Sequence, residues 1–186
     1  MKKILILGGL GNGSVIANAI VDAQMRGSKE WEFVGYLNDR EIGEIQGYPV
    51  LGKVCEASDY AKKGYYFINT ILRIDGQKER IDLFEKLSIP DESLATFIHP
   101  LSYVTPNVIR EPGSVVMPYV AISSGAILKK GVLLNVSCTI GHDTILGEYT
   151  HVAAQACIGA YLKIGSGVHI GLNSTIRENL TTNLSQ

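Results

Sequence analysis

The period of the hydrophobic positions changes near residue 100. In the first half, short apolar runs alternate with segments whose apolar residues recur every three or four positions, whereas in the second half an aliphatic residue recurs every six. The first pattern is typical of alternating strands and helices, and the second fits neither a helix nor an alternating strand. The sequence therefore predicts an α/β domain over residues 1–96, a linker over 97–106 and an all-β domain over 107–186.

Residues 1–96 are predicted to alternate strands with helices. The strands are "KILILGG", "EFVGYLND", "YYFINTI" and a closing "LATFI", and "GQKERIDLFEKLS" is a helix. A further helix is expected from about Ser14 to Met25, because Val15, Ile16 and Ala19 share one face. Such alternation predicts a small parallel sheet of the Rossmann type.

The second half carries a repeat of six residues. Its aliphatic positions are Val116, Ile122, Leu128, Leu134, Ile140, Leu146, Val152, Ile158, Ile164, Ile170 and Ile176. A fixed short period of this kind indicates a solenoid. We predict a prism of triangular cross-section, in which each six-residue side points its aliphatic residue inward and coils of eighteen residues stack about 4.8 Å apart.

Two histidines of the repeat region are separated by nine residues, which is half a coil. His142 and His151 in "TIGHDTILGEYTHV" are therefore expected on different sides of the prism, pointing away from each other. They can meet at one substrate only if a second subunit packs against the first, which a three-fold assembly would satisfy. His169 is expected one coil above His151.

Composition narrows the possible functions. The net charge of −1 and the pI of about 6.4 provide no basic surface for nucleic acid. No apolar stretch approaches the length that a membrane span requires. The cysteines Cys55, Cys138 and Cys157 show no CxxC spacing and leave one unpaired in any disulfide scheme, which suits a reducing cytoplasm.

Several motifs together resemble one family across nearly the whole chain. They are "ILILGGLGNGS", "LND", "IHP", "VMPYVAISSGAILKKGVLLN" and "TIGHDTILGEYTHV". The sequence is similar to the nucleotide-sugar acetyltransferases of the left-handed β-helix superfamily, which include bacillosamine and perosamine N-acetyltransferases and sialic acid O-acetyltransferase relatives. The resemblance implies a Rossmann-like domain joined to a left-handed parallel β-helix of hexapeptide repeats, a homotrimer with active sites between subunits, and a role in surface-glycan biosynthesis.

The resemblance also implies roles for individual residues. His142 matches the general base, and Asp143 matches the acid that raises its basicity. His151 matches a contact to the acetyl group of acetyl-CoA, and Gly171 and Leu172 match the CoA groove. The residues implied to hold the nucleotide-sugar substrate are Leu10, Gly11, Asn12, Asn38 and Asp39, with Asn135 as a further polar contact expected from its position before His142.

The predicted function is N-acetylation of a nucleotide-linked amino sugar by direct transfer from acetyl-CoA, without a metal. A neutral imidazole suits the removal of the proton from the attacking group. Three alternatives stay open: O-acetylation of a sugar; a zinc site built from histidines of two subunits; and a nucleotide-sugar-binding protein with an incomplete CoA site, because Thr182 interrupts the aliphatic repeat. The identity of the nucleotide, the sugar and the acyl chain length also stay open.

Overall fold

The computed structural model describes residues 1–71 and 77–178 and the backbone of 181–182. The chain divides into two compact units, Met1–Ala95 and Thr96–Gln186. Each unit has the fold that the hydrophobic pattern predicts.

The first unit is a five-stranded sheet with helices. Its elements are β1 (Lys2–Leu7), α1 (Asn12–Met25), β2 (Trp31–Leu37), β3 (Glu44–Ile45), β4 (Tyr48–Gly52), α2 (Ala57–Lys62), β5 (Tyr66–Asn69) and α3 (Gln77–Lys86). The strand order is β3-β4-β2-β1-β5, with every pairing parallel except that of β3 with β4. The predicted Rossmann-like sheet is confirmed.

The apolar run of β1 forms the centre of this sheet. Ile4 to Leu7 are fully buried, and α1 buries Ile16 and Ile20. Burying side chains of this size contributes about 1.5–3 kcal/mol each. This burial holds β1 and α1 in place. The two elements therefore fix both ends of the glycine-rich turn that connects them.

Three parts of the first unit were predicted incompletely or wrongly. The β3–β4 hairpin and α2 were not predicted; the hairpin turns through Gln46 and Gly47, both with positive φ, and this pair lacks the usual Asn-Gly signal. The expected closing strand "LATFI" is wrong. Leu94 makes only an isolated bridge to Phe67, and Phe97 belongs to the second unit.

The second unit consists of strands of two residues each. They are β6 (Phe97–Ile98), β7 (Tyr103–Val104), β8 (Ile109–Arg110), β9 (Val115–Val116), β10 (Ala121–Ile122), β11 (Ile127–Leu128), β12 (Leu133–Leu134), β13 (Thr139–Ile140), β14 (Ile145–Leu146), β15 (His151–Val152), β16 (Cys157–Ile158), β17 (Lys163–Ile164), β18 (His169–Ile170), β19 (Thr175–Ile176) and β20 (Thr181–Thr182). They form three parallel sheets: the β7 side (β7-β10-β13-β16-β19), the β8 side (β8-β11-β14-β17-β20) and the β6 side (β6-β9-β12-β15-β18).

The register of these sheets confirms the predicted prism and the left-handed β-helix. Each strand pairs with the strand eighteen residues later, so that Ile122, Ile140 and Ile158 form one buried column. Leu134 pairs with Val152 in the same way on the β6 side. Because every coil places an aliphatic side chain at the same inward position, the interior is a continuous stack of packed side chains.

The corners of the prism follow a second period that the sequence analysis did not identify. One residue in six has a positive φ, three positions after the inward aliphatic: Tyr119, Gly125, Gly131, Ser137, Asp143, Tyr149, Gln155, Tyr161, Gly167 and Asn173. A left-handed residue lets the chain turn sharply between short flat sides. The left-handed position recurs at the same corner every eighteen residues, as at Gly125, Asp143 and Tyr161.

The predicted linker over 97–106 is part of the β-helix. β6 pairs with β9 and β7 pairs with β10, so both strands belong to the coils. The hexapeptide register extends back through Val104 to Ile98, but Arg110 interrupts it. At the other end, Thr182 pairs with Ile164 despite the change of residue type.

Candidate functional site

His142 and Asp143 form a hydrogen-bonded pair at an exposed corner of the prism. The corner follows β13, and His142 Nδ1 lies 2.8 Å from Asp143 Oδ2. An ionised carboxylate only accepts hydrogen bonds, so the imidazole donates from Nδ1. The lone pair of the neutral ring is therefore on Nε2, and both side chains are about half exposed. This arrangement can accept a proton from a bound group at Nε2.

The corner geometry holds the Asp143 carboxylate in place. Asp143 has a φ of 55°, and its N–H donates to the carbonyl oxygen of Ser124. Gly125 lies one coil earlier at the same corner, and a Cβ there would lie 2.3 Å from Asp143 Oδ1. Gly125 therefore leaves the space that the carboxylate occupies. The sequence analysis missed this residue, although it stands eighteen positions before Asp143.

Gly125→Ala is expected to displace the Asp143 carboxylate from His142. Its φ of +72° adds backbone strain, so we expect a loss of about 1–2 kcal/mol in the free energy of unfolding together with reduced activity. The matched control is Gly131→Ala, which has a φ of +67° but contacts the ring of Tyr149 instead. Denaturant unfolding should show similar losses for the two variants, and only Gly125→Ala should alter the imidazole NMR signals of His142. Equal effects of both variants on His142 would contradict this assignment.

Tyr161 contacts His142 from the next coil. The two ring centroids lie 4.7 Å apart and the ring planes are nearly perpendicular. The backbone N–H of Tyr161 also donates to the carbonyl oxygen of His142. Tyr161 is a corner residue that the sequence analysis did not identify.

His151 lies on a different side of the prism from His142. It belongs to β15 on the β6 side, where its ring is buried and stacks on His169, with the two Nδ1 atoms 2.8 Å apart. The predicted position of His169 one coil above is confirmed. One of these nitrogens donates to the other, so the pair shares a proton. The predicted contact of His151 with the acyl donor stays a prediction, and its burial counts against it.

The remaining predicted residues of the repeat domain lie at one further corner. Gly171 and Leu172 follow β18, and the Leu172 side chain is 74% exposed. Asn135 follows β12, and its Oδ1 accepts a hydrogen bond from the N–H of Val136. Their roles in donor and substrate binding stay predictions.

A cavity of about 350 Å³ opens beside the carboxyl ends of β1, β2 and β5 in the first unit. Its walls include the glycine-rich turn, the loop after β2 and the loop after β5. Of the residues predicted to bind substrate, Leu10, Asn38 and Asp39 line this cavity, whereas Gly11 and Asn12 are not among its lining residues. Crevices at this edge of parallel sheets commonly hold ligands.

The side chains of Asn38 and Asp39 accept hydrogen bonds from backbone N–H groups of the loops that line the cavity. Asn38 Oδ1 accepts hydrogen bonds from the N–H groups of Arg40 and Glu41 at 2.7 and 3.1 Å. Asp39 Oδ1 accepts from the N–H of Val54 at 3.0 Å. These bonds shape the wall of the cavity, and direct contact of either side chain with a ligand stays a prediction.

The glycines of the turn allow the neighbouring loops to pack closely, a role that was not predicted from the sequence. A Cβ on Gly8 would lie 2.4 Å from Thr70 Oγ1, and a Cβ on Gly9 would lie 2.2 Å from Asn38 Nδ2. Thr70 is buried and its hydroxyl donates to the carbonyl oxygen of Leu7. The three loops of the cavity therefore interlock through these residues.

The amino end of α1 follows Leu10, which lines the cavity, and carries no acidic side chain in its first turn. Gly11 is the N-cap residue, with a φ of 87°, and makes no side-chain cap. The first N–H groups of a helix lack partners within it, and the helix dipole favours an anion there. This end of the cavity is suited to phosphate groups.

A metal site, a membrane span and a nucleophilic Cys138 have little support in the described part of the chain. No group of three or more His, Cys, Asp or Glu side chains within it could hold a metal ion, and none of its helices has the length and apolarity to cross a membrane. Burial raises the pKa of the Cys138 thiol to about 12, so this cysteine stays protonated at neutral pH and is not a nucleophile.

The predicted resemblance to the nucleotide-sugar acetyltransferases of the left-handed β-helix superfamily is confirmed by comparison with known proteins. Residues 3–87 match the family described as the PglD N-terminal domain. The chain is 24% identical over 147 residues to the GDP-perosamine N-acetyltransferase of Escherichia coli O157:H7. This match covers 78% of the chain and 64% of the relative, so the chain spans less than two thirds of that protein.

Solved structures agree with this assignment of the fold. The acetyltransferase domain of PglB from Neisseria gonorrhoeae FA1090 matches 97% of the chain and 88% of its own length, at 25% identity and a TM-score of 0.70. The same domain in complex with acetyl coenzyme A matches with a TM-score of 0.74 at 24% identity, covering 97% of the chain and 95% of the domain. A mutant perosamine N-acetyltransferase from Caulobacter crescentus, in complex with CoA and GDP-perosamine, matches with a TM-score of 0.55 at 20% identity, covering 96% and 92%.

Proposed function

We propose that this protein transfers an acetyl group from acetyl-CoA to the amino group of a nucleotide-linked sugar. The observation that carries the proposal is the exposed His142–Asp143 pair, in which the carboxylate fixes the imidazole and leaves Nε2 as the acceptor nitrogen. The chemistry named for the relatives in Escherichia coli and Caulobacter supports the same class of substrate.

The proposed mechanism needs one base and no covalent enzyme intermediate. Acetyl-CoA supplies an acyl group that is already activated as a thioester. The sugar amine attacks the thioester carbonyl and its proton passes to His142 Nε2, a role that contributes about 10²–10⁴-fold in comparable enzymes. The C–S bond then breaks, and the CoA thiolate leaves as a thiol after taking the proton from the imidazolium. Asp143 stabilises the imidazolium that forms, through the 2.8 Å hydrogen bond to Nδ1.

We assign the acyl donor to the corner of Gly171 and Leu172. The exposed Leu172 side chain offers an apolar surface for the pantetheine chain. Asn135 is assigned to a polar contact with the substrate, whereas His151, whose ring is buried, is not assigned a contact with the acetyl group.

The first unit is proposed to hold the nucleotide part of the substrate. Its diphosphate would lie at the uncapped amino end of α1, beside Leu10, Gly11 and Asn12. Asn38 and Asp39 also line the cavity, and we assign their loop to contact with the nucleoside. The cavity volume of about 350 Å³ falls within the usual range for small-molecule sites.

Gly9→Ala is expected to weaken nucleotide-sugar binding without slowing the chemical step. The added Cβ would lie 2.2 Å from Asn38 Nδ2 and 2.8 Å from Glu41 Oε2, so the loop after β2 must move. We expect at least a tenfold increase in KM for the nucleotide sugar, with kcat within about twofold of the wild-type value. Val15→Ala, at an exposed position of α1, is the control and should change neither. An unchanged KM for Gly9→Ala would contradict the assignment of this cavity.

We further propose a homotrimer whose active sites lie between subunits. The outward positions of the β8 side carry Ile109, Ile127 and Ile145 in one column, and Ile109 is 55% exposed. An apolar column on an open sheet face favours packing against a second copy. His142 stands at the corner between β13 and β14, directly beside this face, so a sister chain packed there would supply groups close to Nε2.

A role in surface-glycan synthesis in the cytoplasm completes the proposal. The described cysteines Cys55, Cys138 and Cys157 are free thiols, which is typical of a reducing compartment.

The proposal is tested by measuring free-thiol release from acetyl-CoA with a panel of 3-amino and 4-amino nucleotide sugars. We expect turnover with at least one amino sugar and a product that resists hydroxylamine, since an amide survives where an ester is cleaved. A hydroxylamine-sensitive product would indicate O-acetylation instead. Binding of nucleotide sugars without any thiol release would indicate a binding protein.

A further inference from the structure

Adjacent coils stack closely at the His142 corner. A Cβ on Gly141 would lie 2.4–2.6 Å from backbone atoms of Gly159 and Ala160 in the next coil. The absence of a side chain at Gly141 therefore allows the backbone of the next coil to approach the residue just before His142. This approach brings the Tyr161 ring to the His142 ring.

The position of Tyr161 is fixed independently of its side chain. Its backbone is in the left-handed region, with a φ of 58°, and its N–H donates to the carbonyl oxygen of His142 at 3.1 Å. The Tyr161 side chain therefore leaves the backbone at a point tied to His142. The ring contact of 4.7 Å between centroids, with an interplanar angle of 85°, is the edge-to-face geometry that aromatic pairs favour.

The imidazole of His142 needs this second contact because its side chain is half exposed. The hydrogen bond to Asp143 fixes one nitrogen, but Asp143 is itself 53% exposed and belongs to the same corner. A ring held at one atom can still rotate about the bonds of its side chain. Tyr161 packs against the ring from a different coil and restricts that rotation.

We propose that Tyr161 is a positioning residue for His142. It holds the imidazole in the orientation in which Nδ1 donates to Asp143 and Nε2 faces the site of proton transfer. The inference rests on the proposed function for its kinetic consequences, while the orientation of the ring can be measured without turnover. The ring of Tyr161, rather than its hydroxyl, carries the effect.

The test compares Tyr161→Asn and Tyr161→Phe in the full-length protein. Asparagine tolerates a positive φ and occupies the equivalent corner position at residue 173, so Tyr161→Asn removes the ring while keeping the backbone conformation. Tyr161→Phe keeps the ring and removes only the hydroxyl. Tyr119→Asn is the matched control, because Tyr119 is a corner residue with a φ of 61° and a similar exposed fraction.

Two readouts are measured on each protein. The first is the tautomer of His142 by ¹⁵N NMR of histidine-labelled protein, with the signals assigned through His142→Ala. The second is the separation of kcat from KM in the acetyl-transfer assay. We expect Tyr161→Asn to give a mixture of tautomers and about a tenfold lower kcat, with KM within twofold, and Tyr161→Phe to match the wild type in both.

The inference is overturned if Tyr161→Asn shows the same tautomer and kcat as Tyr119→Asn. It is also overturned if Tyr161→Phe loses as much as Tyr161→Asn, because the hydroxyl would then carry the effect. Failure of the proposed function has a different signature. In that case the wild-type protein turns over no nucleotide sugar, while the tautomer of His142 still changes in Tyr161→Asn.

Discussion

His142→Ala is expected to lower kcat for acetyl transfer at least about 100-fold while leaving nucleotide-sugar binding unchanged. The variant removes the proposed general base, and general-base catalysis contributes about 10²–10⁴-fold. Binding should persist because the proposed nucleotide cavity belongs to the first unit. Steady-state thiol release and calorimetric titration with the nucleotide sugar measure the two quantities.

The matched control for this variant is Thr139→Ala. Thr139 is an exposed residue of β13, three positions before His142 in the same coil. It should retain kcat within about twofold, since its side chain points outward and touches no proposed reacting group. If His142→Ala keeps a kcat near the wild-type value, His142 is not the general base.

Ile140→Ala is expected to destabilise the second unit by about 2–5 kcal/mol, the range for truncating a buried aliphatic side chain to alanine. Ile140 is 1% exposed and lies between Ile122 and Ile158 in the column of the β7 side. The space that the substitution leaves in the core cannot close easily, because the neighbouring coils are fixed by their own ladder hydrogen bonds. Chemical denaturation followed by circular dichroism gives the free energy of unfolding.

The neighbouring strand position supplies an internal comparison. Thr139 precedes Ile140 in β13 but points outward, so Thr139→Ala should change the free energy of unfolding by no more than about 0.5 kcal/mol. Similar losses for both variants would mean that β13 does not alternate between the interior and solvent.

The repeat domain was predictable because its period is a property of the chain itself. A residue such as Ile140 finds its contacts eighteen positions before and after, so the spacing alone gave the register of the three sheets. The His142–Asp143 pair was equally accessible, because its two residues are adjacent in sequence. The α/β order of the first unit followed from the buried runs of β1, β2 and β5.

The missed features depend on contacts between coils or on backbone geometry. Gly125 matters because the Asp143 side chain extends over it, and Tyr161 matters because two glycines let adjacent coils approach. Neither effect appears in a hydrophobic pattern. The segment 97–106 was expected to be a linker because it lies between the two hydrophobic patterns, yet its two strands pair with the coils. The burial of His151 likewise could not be derived from spacing, since the period gives its side of the prism but not what covers it.

The most direct test of the proposed active site between subunits is complementation between two inactive variants. His142→Ala removes the base, and Leu172→Glu places a charge at the exposed apolar position assigned to the acyl donor. If one protomer supplies His142 and its neighbour supplies Leu172, random trimers from an equal mixture should regain about a quarter of the wild-type activity, because one interface in four then combines two intact residues. Activity no greater than the average of the separate variants would show that each site is built within one chain, contrary to this account.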